Sequence, residues 1–128
     1  MPIPRLRRWV VVSLLGVLAI AVLAVTFADV IPDRALTKSA MVETSVRIGM
    51  FVNHKKELPA SLTALPRREG YANRVVDAWK RPLLYVVSSQ DAFTLTSLGK
   101  DGVVGGTGED ADIVQKYRMI DGHVRHEP

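Results

Sequence analysis

The apolar and polar positions divide the chain into a long uncharged run and a mixed remainder. Residues 9–28 read WVVVSLLGVLAIAVLAVTFA, which is 20 residues without a charged side chain. A helix rises about 1.5 Å per residue, so a run of this length matches the roughly 30 Å hydrocarbon core of a bilayer. The pattern therefore predicts a transmembrane helix over residues 9–28, in contact with lipid, after a basic segment over residues 1–8.

The charges that flank this run predict its orientation. Arg5, Arg7 and Arg8 precede it, whereas Asp29 and Asp33 follow it. The positive-inside rule places residues 1–8 in the cytoplasm and residues 29–128 on the far side of the membrane. A cleaved signal peptide is the alternative, but the run exceeds the apolar core of such peptides, which is about 7–15 residues long. The length favours an uncleaved anchor.

A second helix is predicted over residues 33–53, where apolar residues recur at helical spacing. They form two neighbouring strips. One strip contains Ala35, Val42, Val46, Gly49 and Met50, and the other contains Met41, Ile48 and Val52. We expect this helix to continue the first one as a rod bent at Pro32, with a small domain covering its apolar side.

The remainder of the chain predicts a connector followed by short strands. Residues 54–82 form the connector, with one helical turn at residues 61–65 between prolines. Residues 83–87 and the alternating segment AFTLTSL predict two strands of a hairpin, with Phe93 and Leu95 on one face. Asp121-Gly122 between two short β-like segments predicts a type I′ turn.

Composition excludes several kinds of chemistry. The chain has no cysteine, so it has no disulfide, thiolate zinc site or cysteine nucleophile. His123 and His126 lie three apart on a predicted strand and so point to opposite faces. No Gly-x-Ser-x-Gly motif frames a nucleophile. We assign no catalytic residue and expect no enzyme activity. The net charge of +4 belongs partly to the anchor, and we expect no nucleic-acid partner.

Acids and glycines concentrate in one loop, residues 97–113, which reads SLGKDGVVGGTGEDADI. Calcium binds carboxylate, hydroxyl and carbonyl oxygens together, and glycines allow the tight curvature that such a loop needs. The spacing is not that of an EF-hand, because Val103 and Gly105 occupy positions that require Asp or Asn. From the residues alone, a calcium site and a solvated acidic loop remain equal alternatives. The crowded carboxylates exclude a phosphate site.

Residues 77–113 resemble the C-terminal half of the major, G-type pseudopilins of type II secretion. The family pattern has a turn with Asp and Trp, a strand with Tyr, a Ser-Leu-Gly strand end, Asp-Gly, Gly-Gly and a final Asp-Ile. The residues that match it are Asp77, Trp79, Pro82, Tyr85, Ser97, Leu98, Gly99, Asp101, Gly102, Gly105, Gly106, Asp112 and Ile113. Residues 41–65 resemble the family's outer helix and its exit more loosely.

The resemblance implies an α+β, pilin-like fold. A long N-terminal helix, transmembrane in its first half, would pack against a small antiparallel sheet that carries a calcium loop. The implied calcium ligands are the carboxylates of Asp101, Asp110 and Asp112, the hydroxyl of Thr107 and the carbonyls of Leu98 and Val103. The choice among Glu109, Asp110 and Asp112 stays open.

The resemblance also implies a structural role in protein export across the bacterial envelope. The chain would be a single-pass inner-membrane protein with its C-terminal domain in the periplasm. Its partners would be other pseudopilin-like subunits or secretion-system components, including further copies of itself. The chain departs from the family in lacking a Gly after the basic segment and a Glu in the apolar run, and in carrying Ala78, Lys80 and Arg81 at the turn. The alternative is a membrane-tethered periplasmic calcium-binding or interaction module that does not polymerise.

Overall fold

The computed structural model describes residues 5–26 and 31–128, with side-chain surroundings given for residues 10–20 of the first range. The chain separates into two compact units that divide between Val30 and Ile31. The first unit contains helix α1, Arg5–Thr26. The predicted rod, in which two helices continue through a bend at Pro32, would run through residues 27–30, which lie outside the described residues. Among the helices in the described ranges, none combines the length and apolar character needed to cross a membrane.

The second unit is a helix and a four-stranded antiparallel sheet, which confirms the α+β prediction. Helix α2 spans Asp33–Lys55. The strands are β1 (Leu84–Ser89), β2 (Ala92–Ser97), β3 (Ile113–Ile120) and β4 (His123–Glu127), and they lie side by side in chain order. Short 3-10 turns occur at Leu62–Ala64 and Gly108–Asp110.

Helix α2 ends two residues later than predicted. Asp33 lies in its first turn, where an acid complements the helix dipole, and His54 and Lys55 lie in its last turn, where bases do. These two residues extend the helix past Asn53. Lys56 then adopts a left-handed conformation and donates its backbone N–H to the Val52 carbonyl at 2.7 Å, which ends the helix.

The two apolar strips of α2 have different surroundings. Met41 and Ile48 are fully buried, because α2 packs against β3 and β4 and contributes these side chains to the core. Val42, Val46 and Met50 are 52, 41 and 41% exposed. We call these last three residues the outer strip. The sequence predicted one wide apolar face, whereas in the structure only one side of that face is covered by the domain.

The core on the sheet side is built by alternate residues of β2 and β3. Phe93 and Leu95 are buried on one face of β2, as the alternation predicted. Phe93 stacks on Tyr117 with ring centroids 5.1 Å apart and meets Tyr85 at 5.7 Å. The two hairpins close as predicted, and Asp121 and Gly122 both have positive φ, 50° and 76°, as a type I′ turn requires. Strand β1 begins at Leu84 rather than at residue 83 and runs to Ser89.

A buried arginine holds the connector against α2. Arg47 is only 5% exposed, and its guanidinium donates to the carbonyls of Leu65, Pro66 and Asn73 at 3.3, 2.8 and 3.1 Å. Glu43 accepts the backbone N–H of Asn73 at 2.9 Å one turn earlier. Residues 65–73 have no regular structure to satisfy these groups, so two side chains of α2 fix the path of the connector.

We expect Arg47→Met to destabilise the domain by about 2 kcal/mol or more, because three carbonyls lose a charged donor in a buried place. The measurement is chemical denaturation of the full chain in detergent. Lys38→Met, at an exposed position of the same helix, is the matched control and should change stability by less than about 0.5 kcal/mol. Equal effects of the two substitutions would contradict this role of Arg47.

Candidate metal-binding loop

The acidic, glycine-rich loop connects the end of β2 to the start of β3. Its two ends are fixed by pairing of Ser97 with Ile113. Between them the loop folds back on itself through backbone bonds from Lys100 N–H to the Glu109 carbonyl at 2.9 Å and from Asp112 N–H to the Gly105 carbonyl at 3.1 Å. The loop is therefore an ordered, closed structure within the described residues, built largely from its own backbone.

Two glycines allow this closure. Gly99 and Gly106 have φ of 68° and 83°, and both lie against the backbone of Asp110. A Cβ on Gly106 would lie 2.7 Å from the Asp110 carbonyl oxygen, and a Cβ on Gly99 would overlap that same oxygen. Because residues with a side chain rarely adopt this φ and the space is filled, both positions require glycine.

The buried carboxylate of Asp77 is hydrogen-bonded to the residue at which the loop begins. Asp77 is 4% exposed, and its Oδ2 accepts the Ser97 hydroxyl at 2.7 Å while its Oδ1 accepts the Arg81 backbone N–H at 2.9 Å. The Ser97 hydroxyl oxygen in turn accepts the Gly99 N–H at 3.3 Å. We call Asp77, Ser97 and Arg81 the loop support. It joins the turn before β1 to the first residues of the loop.

Three cationic side chains also contact the loop. Arg81 Nη1 donates to the Gly99 carbonyl at 2.9 Å, and Arg34 Nη1 donates from the start of α2 to the Ala111 carbonyl at 2.6 Å. Lys100 Nζ pairs with Glu109 at 2.8 Å on the surface. The hydrogen bond and charge of Lys100 lower the pKa of the Glu109 carboxyl. Glu109 is thus engaged with Lys100.

The predicted ligands are distributed around this loop. Asp101 Oδ1 accepts the Val103 N–H at 3.0 Å, and Asp112 Oδ2 accepts the Gly105 N–H at 3.1 Å. Asp110 lies in the 3-10 turn that Thr107 precedes, and its backbone contacts Gly106. Leu98 follows β2 directly. Within the described part of the chain, no three acidic or histidine side chains lie close enough to hold one metal ion.

One oxygen of this set does fit a cation. Asp112 Oδ1 is buried and has no hydrogen-bond partner among the described residues. A buried carboxylate oxygen without a donor is costly, and a bound cation removes that cost. Calcium accepts backbone carbonyls as well as carboxylates, so it does not require three acidic side chains in one place. The donor types in this loop therefore fit calcium.

His126, Trp79 and Tyr85 make packing contacts with the domain and lie outside the candidate metal-binding loop. His126 packs its ring edge-on against Tyr117, with centroids 5.5 Å apart. Trp79 and Tyr85 pack against the core, although Trp79 Nε1 and Tyr85 OH are buried without partners in the described residues. Burial raises the pKa of Tyr85 to about 12.

The sequence reasoning missed the loop support and the cationic contacts. It assigned Asp77 to the family turn and treated Arg81 only as a departure from the family. The spacing of Asp77 four residues before Arg81 in a tight turn was the available indication, because Asp side chains often accept nearby backbone N–H groups.

These features define an α+β domain in which a helix lies on an antiparallel sheet that carries an ordered glycine-rich loop. The family model described as type II secretion system (T2SS), protein G, matches residues 47–116, which is 70 of the 128 residues. The match includes the last nine residues of α2, the first two strands, the whole loop and the first four residues of β3. The chain belongs to this family, whose pseudopilins are structural proteins of secretion rather than enzymes. A search of curated proteins finds no match.

We expect Gly99→Ala to destabilise the loop more than Gly105→Ala. Both positions have positive φ, 68° and 97°, so both substitutions carry a backbone strain of about 1 kcal/mol or more. Only at Gly99 does the added methyl group also meet the Asp110 backbone, since a Cβ on Gly105 has open space. Thermal denaturation of the full chain measures the difference. A Tm for Gly99→Ala equal to or above that of Gly105→Ala would contradict this packing.

Proposed function

We propose that this protein is a structural subunit of a type II secretion-related assembly, anchored in the bacterial inner membrane. The observation that carries the proposal is the family match over residues 47–116, which include the end of α2, strands β1 and β2 and the loop. The outer strip of α2 would contact neighbouring subunits, and the loop would bind calcium for stability. No catalytic step is involved.

The outer strip supports an assembly role. Val42, Val46 and Met50 are spaced by four residues, so they lie on one side of α2, and all three are substantially exposed. Next to Met50 the strip meets a shallow groove of about 380 Å³, lined also by Phe51, His54, Lys55, Ala64 and Pro66. An apolar strip on a helix is stabilised by packing against another apolar surface, and a neighbouring subunit provides one.

Calcium would act on the loop alone. Asp112 would contribute its unpartnered Oδ1, with Asp101, Asp110, Thr107 and the carbonyls of Leu98 and Val103 as the other proposed ligands. Bound calcium supplies positive charge that offsets the repulsion among the crowded carboxylates. The loop support and the glycines already fix the backbone of the loop. Calcium would therefore stabilise the curved path of this backbone and would not create it.

The proposed anchor is residues 9–28, with residues 1–8 in the cytoplasm and residues 29–128 in the periplasm. This part of the proposal rests on the sequence, namely the uncharged run and the basic residues before it.

Alkaline extraction of cell membranes tests the proposed anchor. The chain should remain in the membrane pellet, and release into the supernatant would contradict an integral anchor.

A tethered module that does not polymerise is the second candidate. The specific observation in its favour is the sequence of the apolar run, which lacks the Glu and the preceding Gly that pseudopilins carry. The two candidates share the domain and the anchor. They differ in whether one copy contacts another through the outer strip.

We expect calcium to raise the Tm of the full chain in detergent. A ligand at a hundredfold excess over its Kd stabilises the folded state by about 2.7 kcal/mol. Asp112→Asn should remove most of this rise, because the unpartnered oxygen loses its negative charge. Glu109→Gln, a neighbouring acid engaged with Lys100, is the matched control and should keep the rise. The calcium proposal fails when the wild-type Tm is the same in calcium and in chelator.

We expect a photo-crosslinking residue at Val46 to capture further copies of the chain in cells that carry the secretion system. The captured products should form a ladder of dimers and larger species. The same residue at Arg125, exposed on β4, is the control and should give no ladder. Capture of one different protein without a ladder would favour the tethered module. No adduct at Val46 would contradict both roles for the outer strip.

A further inference from the structure

We propose that the free edge of β1 is a second interaction surface, through which two copies of this chain pair their β1 strands in antiparallel orientation. The product would be a continuous sheet of eight strands, four from each copy. The edge of β1 is separate from the outer strip proposed above for assembly. It lies at the side of the sheet away from β3 and β4, on which α2 packs, and pairing there does not depend on calcium.

The edge of β1 is open within the described residues. Strand β1 pairs only with β2, at the end of the strand order. The residues just before it are covered, since Leu83 N–H donates to the Val75 carbonyl at 2.9 Å and Val76 bridges to Pro82. The cover ends there, because the chain turns away at Asn73, whose φ is 55°. From Leu84 onward the outer backbone groups have no partner among the described residues.

The side chains of this edge are unusually apolar for an exposed strand. Leu84, Val86 and Val87 are 46, 60 and 46% exposed. Among the described residues, α2 packs mainly against β3 and β4, and of the β1 side chains Tyr85 packs against the core. Proteins commonly protect free edges with charged residues. The other edge strand of this sheet, β4, follows that rule with Arg125 and Glu127, whereas residues 82–90 contain no charge.

The charges at the two ends of this uncharged segment indicate that the partner is a second copy. Lys80 and Arg81 precede it, and Asp91 follows it. With a two-fold axis near Val86, antiparallel pairing of residues 84–88 directs the turn that carries Asp91 of one copy toward the turn that carries Lys80 and Arg81 of the other, twice per dimer. A parallel pairing would instead place like charges together. The edge is therefore complementary to itself, as a two-fold interface requires.

Lys80 and Asp91 are the flanking charges that lie on the surface, whereas Arg81 is engaged with the Gly99 carbonyl. Lys80 is exposed and makes no ion pair within the described part of the chain. The Asp91 carboxylate is about half exposed and already contacts Arg118 at 3.1 Å. The hydrogen bond from Ser89, followed by the contact with Arg118, lowers the pKa of Asp91, so it is negatively charged at neutral pH. Two further contacts with Lys80, one per copy, would add to strand pairing.

The test uses the absence of cysteine from the chain. Val86→Cys in the full chain in detergent places a thiol near the two-fold axis, where opposite strand positions have the spacing that a disulfide needs. We expect mild oxidation to produce a covalent dimer. Val114→Cys is the matched control, because Val114 is 51% exposed but lies on β3, away from the edge. Equal dimer yields from the two variants would overturn the proposal.

A second pair of variants tests the charges without new cysteines. Lys80→Glu should weaken dimerisation by about threefold to tenfold in sedimentation measurements, since two favourable contacts become repulsive. Val86→Lys should abolish the dimer by placing two positive charges near the axis. Lys38→Glu, a charge reversal on α2, is the control and should leave the dimer unchanged. Circular dichroism shows that each variant is folded. A dimer that survives both Lys80→Glu and Val86→Lys in folded protein would also overturn the proposal.

Discussion

The hydrogen bond between the buried carboxylate of Asp77 and the hydroxyl of Ser97 is the contact on which the loop depends. Its length is 2.7 Å, and both residues are almost completely buried. Through Asp77 the bond fixes the turn before β1, and through Ser97 it fixes the first amide of the loop. A buried carboxylate is stable only when its oxygens are satisfied, so this bond couples the turn before β1 to the start of the loop.

The sequence predicted the elements of the fold better than their surroundings. The alternation around Phe93 and Leu95 predicted β2 and its buried face, and Asp121-Gly122 predicted the turn between β3 and β4, because both patterns depend on local backbone geometry. The sequence did not separate the buried strip of α2 from the outer strip, since that depends on where the sheet lies. The role of Arg47 could not be predicted, because its three carbonyl partners lie 18 or more residues away in the chain.

The candidate site shows the same division. Glycine content predicted a tightly folded loop, and Gly99 and Gly106 meet that expectation because a side chain at either position would strike the Asp110 backbone. The bonds from Arg34 and Arg81 to loop carbonyls could not be predicted, because they join segments far apart in the chain. The chain's own cations thus bind carbonyls of the loop and contribute to its order.

The most direct test of the Asp77–Ser97 contact is amide hydrogen exchange in the full chain and in its Ser97→Ala variant. The substitution removes the donor to Asp77 and the acceptor of the Gly99 N–H with little change in volume. We expect the amides of Gly99, Lys100 and Asp112 to exchange about tenfold faster, whereas those of β3 and β4 should be unchanged. Unchanged loop amides, or a uniform acceleration across the whole sheet, would contradict the central role of this contact.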